Sequence, residues 1–288
     1  MKIAIIILNY NSSADCRKCV SDLKKQSGVE IEIVIVDNCS RSDEREEIEK
    51  FCRGSCCTFL LSPENRGYNA GNNIGLHYAA EQGYEYALIC NPDMEFPQDN
   101  YLKNLADILK NNSEITVIAS DILHFEGYHQ NPLLPDGDWK DALKGVLRTF
   151  LPWKHSRTPD YIDRWDFSHF CNKVSGCCFM IRIDFLKEIG FFDEYPFLYC
   201  EEAILAAQVV LSGKKMYYVA DVQAIHHHVK KAKLDAVRGF RHWRRSRTYF
   251  IRRYSRDSWL GKQCQLITLH VMVLLFIFLN TLKKLRIR

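Results

Sequence analysis

The sequence predicts an α/β protein in which helices cover both faces of a doubly wound sheet and a basic helical segment follows. Three observations lead to this fold class. Short apolar runs alternate with helical segments, polar residues follow the runs directly, and basic residues accumulate near the C-terminal end. The chain has 288 residues, 47% hydrophobic and 26% charged. This composition is typical of a globular protein and excludes a disordered chain, a collagen-like repeat and a bare coiled coil.

Four short apolar runs in the first ninety residues predict strands. Those at 3–8, 32–36 and 86–90 predict strands that are buried on both faces, because their side chains do not alternate with polar ones. Turn residues and helical segments separate the runs, which gives the order β-α-β-α-β-α-β. That order predicts parallel strands with helices on both faces. The predicted strands are 3–8, 32–36, 58–61 and 86–90, and the predicted helices are 15–25, 43–52 and a segment ending at about residue 81.

The pattern weakens between residues 121 and 172, where Gly, Pro, His and Trp occur without a period. Segments of this length without regular structure are usually functional or mobile in compact domains. We expect the acceptor of any reaction to lie against this segment. Regular structure then returns, with strands at 174–183 and 216–219, a helix at 201–211, and basic helical stretches at 234–254 and 260–285.

The charge is divided unevenly along the chain. From Lys230 to Arg288 the sequence holds 16 Lys and Arg but only 2 Asp and Glu, whereas the first 229 residues hold 23 basic and 33 acidic residues. We therefore expect an acidic domain at 1–229 and a basic helical tail at 230–288. The apolar N-terminal run is too short for a signal peptide, which predicts a cytoplasmic protein.

The twelve cysteines are expected to be free thiols in a reducing compartment. Cys16 and Cys19 have C-x-x-C spacing, and Cys52, Cys56 and Cys57 form a second group. A structural zinc site needs four converging ligands with paired spacing, and the second group is irregular. Small packing residues are the favoured interpretation, with a metal or redox role as the alternative.

Polar residues stand directly after three predicted strands, at 9–11, 37–38 and 91–93. Ligands of doubly wound sheets bind outside the carboxyl ends of the strands, so these residues are candidates for a binding site. Asp93 offers a carboxylate that could hold Mg²⁺ or Mn²⁺ against a diphosphate. Asn-Pro-Asp is also turn chemistry, which is the alternative. The sequence has neither a P-loop motif nor a G-x-G-x-x-G motif after the first strand.

Two further groups of residues offer side chains for catalysis or metal binding. Glu201 and Glu202 open a helix, and their side chains point about 100° apart. One carboxylate can therefore face a cleft as a general base, although stabilisation of the helix N-terminus would explain both residues. In the run 226–228 of three histidines, successive side chains point in opposite directions, so at most one or two can meet one metal. The alternative is a set of surface histidines.

Taken together, these motifs resemble glycosyltransferase family 2, and its rhamnosyltransferase-like bacterial branch is the most similar. Their order and spacing match the family over about four fifths of the chain. The motifs are IIILNYN at 5–11, VIVDNCS at 34–40, NRGYNAGNN at 65–73, NPD at 91–93, SGCCFMI at 175–181, GFFDE at 190–194, EE at 201–202 and IHH at 225–227.

The resemblance implies a GT-A fold with a mixed sheet and an inverting, metal-dependent transfer of a hexosyl or deoxyhexosyl group. The implied donor is a nucleotide-diphosphate sugar, the implied cofactor is Mn²⁺ or Mg²⁺, and a dTDP-sugar or a UDP-sugar would suit the site. By position, the resemblance implies donor contacts at Tyr10, Asp37, Asn38, Asn72, Asn91 and Asp93, metal ligands at Asp93 and His226, a catalytic base at Glu202, and supporting or acceptor contacts at Gly176 and Glu201.

The sequence departs from the family pattern at two positions. Glu202 stands where the family usually has an Asp, and Ile204 stands where many relatives have another acid. A weakly active or inactive relative that acts as a scaffold in glycan assembly is therefore the alternative function. A sugar-phosphate nucleotidyltransferase is less favoured, because such enzymes usually carry a Gly-rich basic loop after the first strand, where this chain has residues 9–13.

The basic tail predicts a surface for an anionic partner. Its arginines are interleaved with aromatic residues, which suits either nucleic acid or an anionic bilayer. The run 266–279 is apolar on nearly all sides but shorter than the roughly 20 residues that span a bilayer. A helix packed in the core or a re-entrant segment is the alternative, and cations on both flanks favour attachment to a membrane surface. We therefore predict peripheral attachment to the inner face of the plasma membrane, no nucleic acid, and a glycan or polyprenyl-linked glycan as acceptor.

Overall fold

A computed structural model of the chain describes residues 1–150, 162–228 and 236–286, with 147–150, 236–237 and 276–286 described by their backbone only. The predicted fold class is confirmed. Within the described residues, nine strands form a mixed sheet at the centre, and helices pack against both of its faces. The predicted boundary between domain and tail, at residues 229–230, lies outside the described residues.

The first half of the chain forms a parallel sheet with the strand order β3-β2-β1-β4. The predicted strands and helices of this half all form, with ends that differ by a few residues. The strands are β1 (Lys2–Asn9), β2 (Glu30–Asp37), β3 (Thr58–Leu61) and β4 (Tyr86–Cys90), and the helices are α1 (Ser13–Leu23), α2 (Ser42–Ser55) and α3 (Tyr68–Glu81).

The second half extends the sheet in the order β4-β8-β6-β9-β5, and β8 runs antiparallel to both neighbours. It contains β5 (Met94–Glu95), α4 (Tyr101–Asn111), β6 (Ile115–His124), α5 (Trp139–Phe150), β7 (His169–Cys171), β8 (Cys178–Arg182), α6 (Ile183–Ile189), α7 (Glu201–Leu211), β9 (Lys215–His226), α8 (Ala236–Arg253) and α9 (Trp259–Arg286). Compared with the predicted strands, β8 is shorter than 174–183 and β9 is much longer than 216–219. The helices α4 and α6 and the strands β5 and β6 were not predicted, and neither were α5 and β7, which lie in the irregular segment.

The core lies in two layers, one on each face of the sheet. The β1 strand contributes to both, since Ile3, Ile5 and Ile7 belong to one layer and Ala4 and Ile6 to the other. All five side chains are completely buried. This explains the continuous apolar run, because a strand covered by helices on both faces buries every residue.

The C-terminal helices pack directly on the body of the protein. Ile204 of α7 contacts a small core formed with Phe250 and Ile251 of α8 and Leu269 of α9. Tyr249 and Tyr254 each donate a hydrogen bond to Oδ2 of Asp193, at 2.7 and 2.6 Å. In the described part of the chain, the tail is therefore an integral layer, tied to the GFFDE motif.

This packing explains the departure at Ile204, whose side chain is only 1% exposed. Replacing Ile204 with Asp would bury an unpaired carboxylate, and we expect a loss of about 3 kcal/mol or more in the free energy of unfolding. Urea unfolding measures it. The matched control is Leu211→Asp on the same helix, where the residue is 72% exposed and the change should cost less than about 0.5 kcal/mol. Equal losses in the two variants would contradict the packing role.

Apolar side chains are exposed along one side of α9. Leu260, Ile267 and Leu274 are each 64–72% exposed and lie seven residues apart, and Trp259 beside them is 72% exposed. Within the described ranges, none of the helices is both long and apolar enough to cross a bilayer.

Candidate active site

Three side chains at the carboxyl ends of β4 and β9 form a possible metal site. Nε2 of His226 lies 3.2 Å from Oδ1 of Asp93, and Nδ1 of His228 lies 3.7 Å from Oδ2 of the same carboxylate. Each of the three residues offers one possible ligand atom that lies within 4.8 Å of the other two. Asp93 and His226 were predicted as ligands from the sequence, and His228 is an addition.

The ring of His226 is oriented for metal binding by a neighbour. Its Nδ1 lies 2.7 Å from Oε1 of Gln130, and if Nδ1 donates that hydrogen bond, Nε2 is left with a lone pair facing Asp93. That nitrogen is buried and has no aligned hydrogen bond, although it is within ion-pair distance of Asp93. A buried imidazole nitrogen without a partner, beside a carboxylate, fits a metal ligand.

Without a cation between them, a protonated His226 and an ionised Asp93 would stabilise one another. Burial lowers the pKa of His226, but the Asp93 carboxylate and the Cys177 sulfur outweigh burial and raise that pKa to about 10. Burial also raises the pKa of Asp93, yet contact with His226 outweighs it and holds the Asp93 pKa below its usual range. A divalent cation at this site would therefore replace the proton on Nε2 of His226.

A cavity of about 860 Å³ connects this cluster with the two glutamates of α7. His226, His228, Glu201 and Glu202 all line it, together with Asn91 of the Asn-Pro-Asp tripeptide. Asp93 reaches the cavity through its contacts with the two histidines. The structure thus brings together the predicted metal-binding acid and the predicted base, which are separated by more than a hundred residues.

The two glutamates differ in their surroundings. Oε1 of Glu202 accepts a hydrogen bond from the backbone N–H of Gly176 at 3.3 Å. A Cβ added to Gly176 would lie 3.1 Å from the same oxygen, so a side chain there would crowd the carboxylate. Oε1 of Glu201 is buried without a hydrogen-bond partner. Burial and the charge of Glu202 raise the pKa of Glu201 to about 8.

This raised pKa predicts a pH-dependent stability. Folding raises the pKa of Glu201 from 4.5 to about 8, so the folded protein binds the proton more tightly. Stability should therefore fall as pH rises from about 4.5 to 8, by on the order of a few kcal/mol. Glu201→Gln should flatten that slope in urea unfolding between about pH 5 and pH 9. The exposed Glu188 of α6 offers a control, since Glu188→Gln should keep the parental slope; a slope unchanged in Glu201→Gln would contradict the assignment.

Hydrogen bonds to Asp37, one of the predicted donor residues, join the ends of β1 and β2. The Asp37 side chain is fully buried. It accepts hydrogen bonds from Nδ2 of Asn9 at 2.8 Å and from the N–H of Ser40 at 3.0 Å. Both carboxylate oxygens are therefore occupied by the protein, and Asp37 fixes the loops that follow β1 and β2. The neighbouring Tyr10 is 53% exposed, with its ring available to a ligand.

Two predicted donor residues, Asn38 and Asn72, carry buried amide oxygens that lack hydrogen-bond partners. Nδ2 of Asn38 donates to Oδ1 of Asn65 at 3.2 Å, and Nδ2 of Asn72 donates to the backbone oxygen of Tyr68 at 3.0 Å. Gly71 lies between them, and a Cβ there would come within 2.5 Å of Leu8. The glycine thus allows α3 to approach β1 closely, at the point where the two unpartnered oxygens occur.

Tyr68 joins the Asn-Pro-Asp tripeptide to the loop that holds Glu202. Its hydroxyl donates to the backbone oxygen of Gly176 at 2.6 Å and lies 3.3 Å from Oδ1 of Asn91. Gly176 in turn donates to Glu202. A short series of hydrogen bonds therefore fixes the position of the Glu202 carboxylate relative to Asn91.

His228, Gln130 and Tyr68 were not among the predicted site residues. The signal for His228 was present, because residues two apart in an extended segment share a side, which places 226 and 228 together and 227 opposite. Glu95 confirms that opposite direction, since its carboxylate lies 2.6 Å from Nε2 of His227. Gln130 had no such signal, because it lies in the irregular segment.

Comparison with known proteins identifies the family. The family model for glycosyl transferase family 2 matches residues 4–190. The hexosyltransferase Agl10 of low-salt glycan biosynthesis in Haloferax volcanii is 31% identical over 202 residues, which cover 69% of this chain and 59% of that protein. The chain thus spans about three fifths of that relative. The rhamnosyltransferase WbbL of Escherichia coli is 22% identical over 234 residues, covering 78% of this chain and 83% of WbbL.

Solved structures show the same fold. GalNAc-T7, solved with UDP, GalNAc and Mn²⁺, superposes with a TM-score of 0.61 at 14% identity over 87% of this chain and 47% of its own. Residues 1–349 of S. aureus TarS, solved with UDP, give a TM-score of 0.57 at 17% identity over 92% of this chain and 70% of that one. Because the family model matches more than half of the sequence, the chain belongs to glycosyltransferase family 2.

Proposed function

We propose that the protein transfers a hexosyl or deoxyhexosyl group from a nucleotide-diphosphate sugar to a hydroxyl of a glycan acceptor, with inversion at the anomeric carbon. The observation that carries the proposal is one cavity lined by both the histidines of the metal cluster and the carboxylates of α7. The names of the two relatives, a hexosyltransferase and a rhamnosyltransferase, support this reaction class.

The donor set at the proposed metal site supports a divalent cation. Asp93 supplies a carboxylate, and His226 and His228 supply imidazole nitrogens, of which the one on His226 is buried without an aligned partner. Imidazole ligands suit transition-metal ions better than Mg²⁺, so this set favours Mn²⁺. When bound, such a cation supplies positive charge that stabilises the departing diphosphate.

The remaining chemistry is assigned to residues of this chain. Glu202 takes the proton of the attacking acceptor hydroxyl, and the hydrogen bond from Gly176 keeps its carboxylate in place. The exposed ring of Tyr10 and the unpartnered oxygens of Asn38 and Asn72 bind the nucleoside. Asp37 supports that site by holding the loops after β1 and β2, and Asn91 adjoins the diphosphate.

A thermal-shift screen of nucleotide sugars tests the proposal. A ligand that binds only the native state raises the melting temperature. We expect UDP-sugars or dTDP-sugars to stabilise the parent protein in the presence of Mn²⁺ and much less in EDTA. No stabilisation by any nucleotide sugar, with or without Mn²⁺, would remove the proposed function.

We further propose that the tail helices hold the protein peripherally on an anionic membrane surface, the inner face of the plasma membrane. Exposed arginines on α8 and apolar side chains on α9 support this, because Lys or Arg near an anionic bilayer contribute about 1 kcal/mol each and apolar side chains insert at the headgroup level. The supporting residues are Arg241, Arg244, Arg245, Arg252, Arg253, Arg256, Trp259, Leu260, Ile267 and Leu274.

Vesicle sedimentation tests this surface. The parent should bind vesicles that contain anionic lipid and bind neutral vesicles weakly. Replacing both Leu260 and Ile267 with Ser should weaken binding at least about tenfold, since each substitution removes an apolar side chain that would insert into the bilayer. The control is Leu211→Ser on α7, which is as exposed as Leu260 and should leave binding unchanged. Equal binding of all variants would exclude α9 as the contact.

A further inference from the structure

A second charged cluster lines the same cavity, away from the metal ligands. Nζ of Lys173 lies 2.8 Å from Oδ2 of Asp136, and Nη1 of Arg247 lies 2.7 Å from Oδ1. The three side chains are between 16% and 23% exposed, and all line the cavity. Burial raises the pKa of Asp136, but the two cations outweigh burial and lower it, so the carboxylate is ionised.

The cluster carries more positive charge and more donors than Asp136 satisfies. Two cations share one carboxylate, so the group has a net charge of about +1. An ammonium has three N–H donors and a guanidinium has five, and Asp136 takes one from each. Largely buried cations are costly unless they are paired and hydrogen-bonded. The spare donors on Lys173 and Arg247 therefore suit an anion with several oxygens.

The charges of the cavity would orient such an anion. The Glu202 carboxylate lines the same space and repels anionic groups, whereas Lys173 and Arg247 attract them. A ligand with a phosphate at one end and a hydroxyl at the other would bind with the phosphate near the cations. Its hydroxyl would then point away from them, toward the carboxylate proposed as the base.

The wall beside the cluster is largely apolar, with Gln265 and Thr268 of α9 as its polar members. Trp243 and Ile251 of α8 and Leu269 and Met272 of α9 line the cavity near Arg247, which lies on the same helix as the first two. Ile251 and Leu269 are buried in the small core with α7. An anion site next to apolar side chains suits a phosphate attached to a hydrocarbon chain better than a free phosphate.

We propose that Lys173 and Arg247 form a subsite for the phosphate or diphosphate of a lipid-linked acceptor, whose first carbons contact the apolar wall of α8 and α9. The inference rests on the proposed function, since it supplies the second substrate of that reaction. It also gives a role to the irregular segment, whose Asp136 holds the two cations, and to the tail, which supplies Arg247.

Calorimetric titration with geranyl diphosphate in EDTA tests the subsite without donor or metal. We expect the parent to bind it more tightly than inorganic diphosphate and geraniol. Arg247→Met should weaken binding at least tenfold, and Arg247→Lys should retain it within a few-fold because the charge remains. Arg238→Met, at an exposed position of the same helix, should match the parent. UDP or dTDP binding with Mn²⁺, measured in parallel, reports on folding of each variant.

Two outcomes would overturn the inference. Equal affinities of Arg247→Met and Arg238→Met would exclude Arg247 as a ligand-binding group. Equal affinities for geranyl diphosphate and inorganic diphosphate would exclude the lipid as the source of the phosphate. If the parent binds geranyl diphosphate as expected but no nucleotide with Mn²⁺, the proposed function fails while the subsite stands, so the two failures are distinguishable.

Discussion

Replacing Asp93 with Asn is expected to abolish Mn²⁺-dependent binding of UDP or dTDP and to lower kcat/KM at least about 10³-fold. The substitution keeps the size of the side chain but removes the negative charge that faces His226 and His228. Removing outer-shell partners of a metal usually costs 10–100-fold, and loss of the carboxylate ligand itself should cost more.

The chain offers a close control for this variant. Glu95 lies two residues after Asp93, and its carboxylate contacts His227, which points away from the other two histidines. Glu95→Gln thus removes a carboxylate–histidine contact from the same two strands without touching the proposed metal site. We expect it to keep nucleotide binding and activity within about threefold of the parent. Matching losses in the two variants would show that the effect is structural.

Replacing Glu202 with Gln is expected to lower kcat by about 10²–10⁴-fold while leaving the affinity for the nucleotide sugar unchanged. The variant preserves the shape of the side chain, and its carbonyl oxygen can still accept the hydrogen bond that Gly176 donates at 3.3 Å. It cannot take a proton from the acceptor. Stopped assays of nucleotide release, together with titration of the donor, separate the rate from binding.

Glu201→Gln is the matched comparison, because the residue precedes Glu202 and lines the same cavity. With its pKa raised to about 8, Glu201 is mostly protonated at neutral pH, and a neutral amide should cost less than about tenfold in kcat. The reverse ranking would make Glu201 the base. Full activity in both variants would refute base catalysis by either glutamate, and an inactive parent that still binds nucleotide would favour the scaffold alternative.

The first half of the fold was predictable because three of its four strands are largely buried and recognisable turns separate all four. The second half was less so. The run that forms β6, Ile115–His124, is as apolar as β1 in its first part but contains Ser120 and Asp121, which suggest a turn. In the structure Ser120 is buried beside Tyr101, whose hydroxyl lies 3.0 Å away. Tertiary hydrogen bonds of this kind allow polar residues inside a central strand, and a local pattern cannot reveal them.

The candidate site shows the same division. Asp93, His226 and Glu202 were predictable, because each stands beside an element boundary within a motif. The contributions of Asp136, Lys173 and Arg247 were not predictable. These residues lie in the irregular segment, in a loop and in a helix, and the sequence of that helix indicates only that it is basic. Their proximity depends on how α8 packs on the body, which is a property of the whole fold.

The cavity has two halves built by different parts of the chain. The sheet and the loops after its strands contribute Asn91 and His226, and the last two helices contribute Trp243, Arg247 and Met272. Exchanging α8 and α9 for those of another family member should therefore alter which acceptor is glycosylated while the choice of nucleotide sugar is retained. A protein truncated before the basic segment would lack one side of the cavity. The segment is therefore part of the binding site and not a separable anchor.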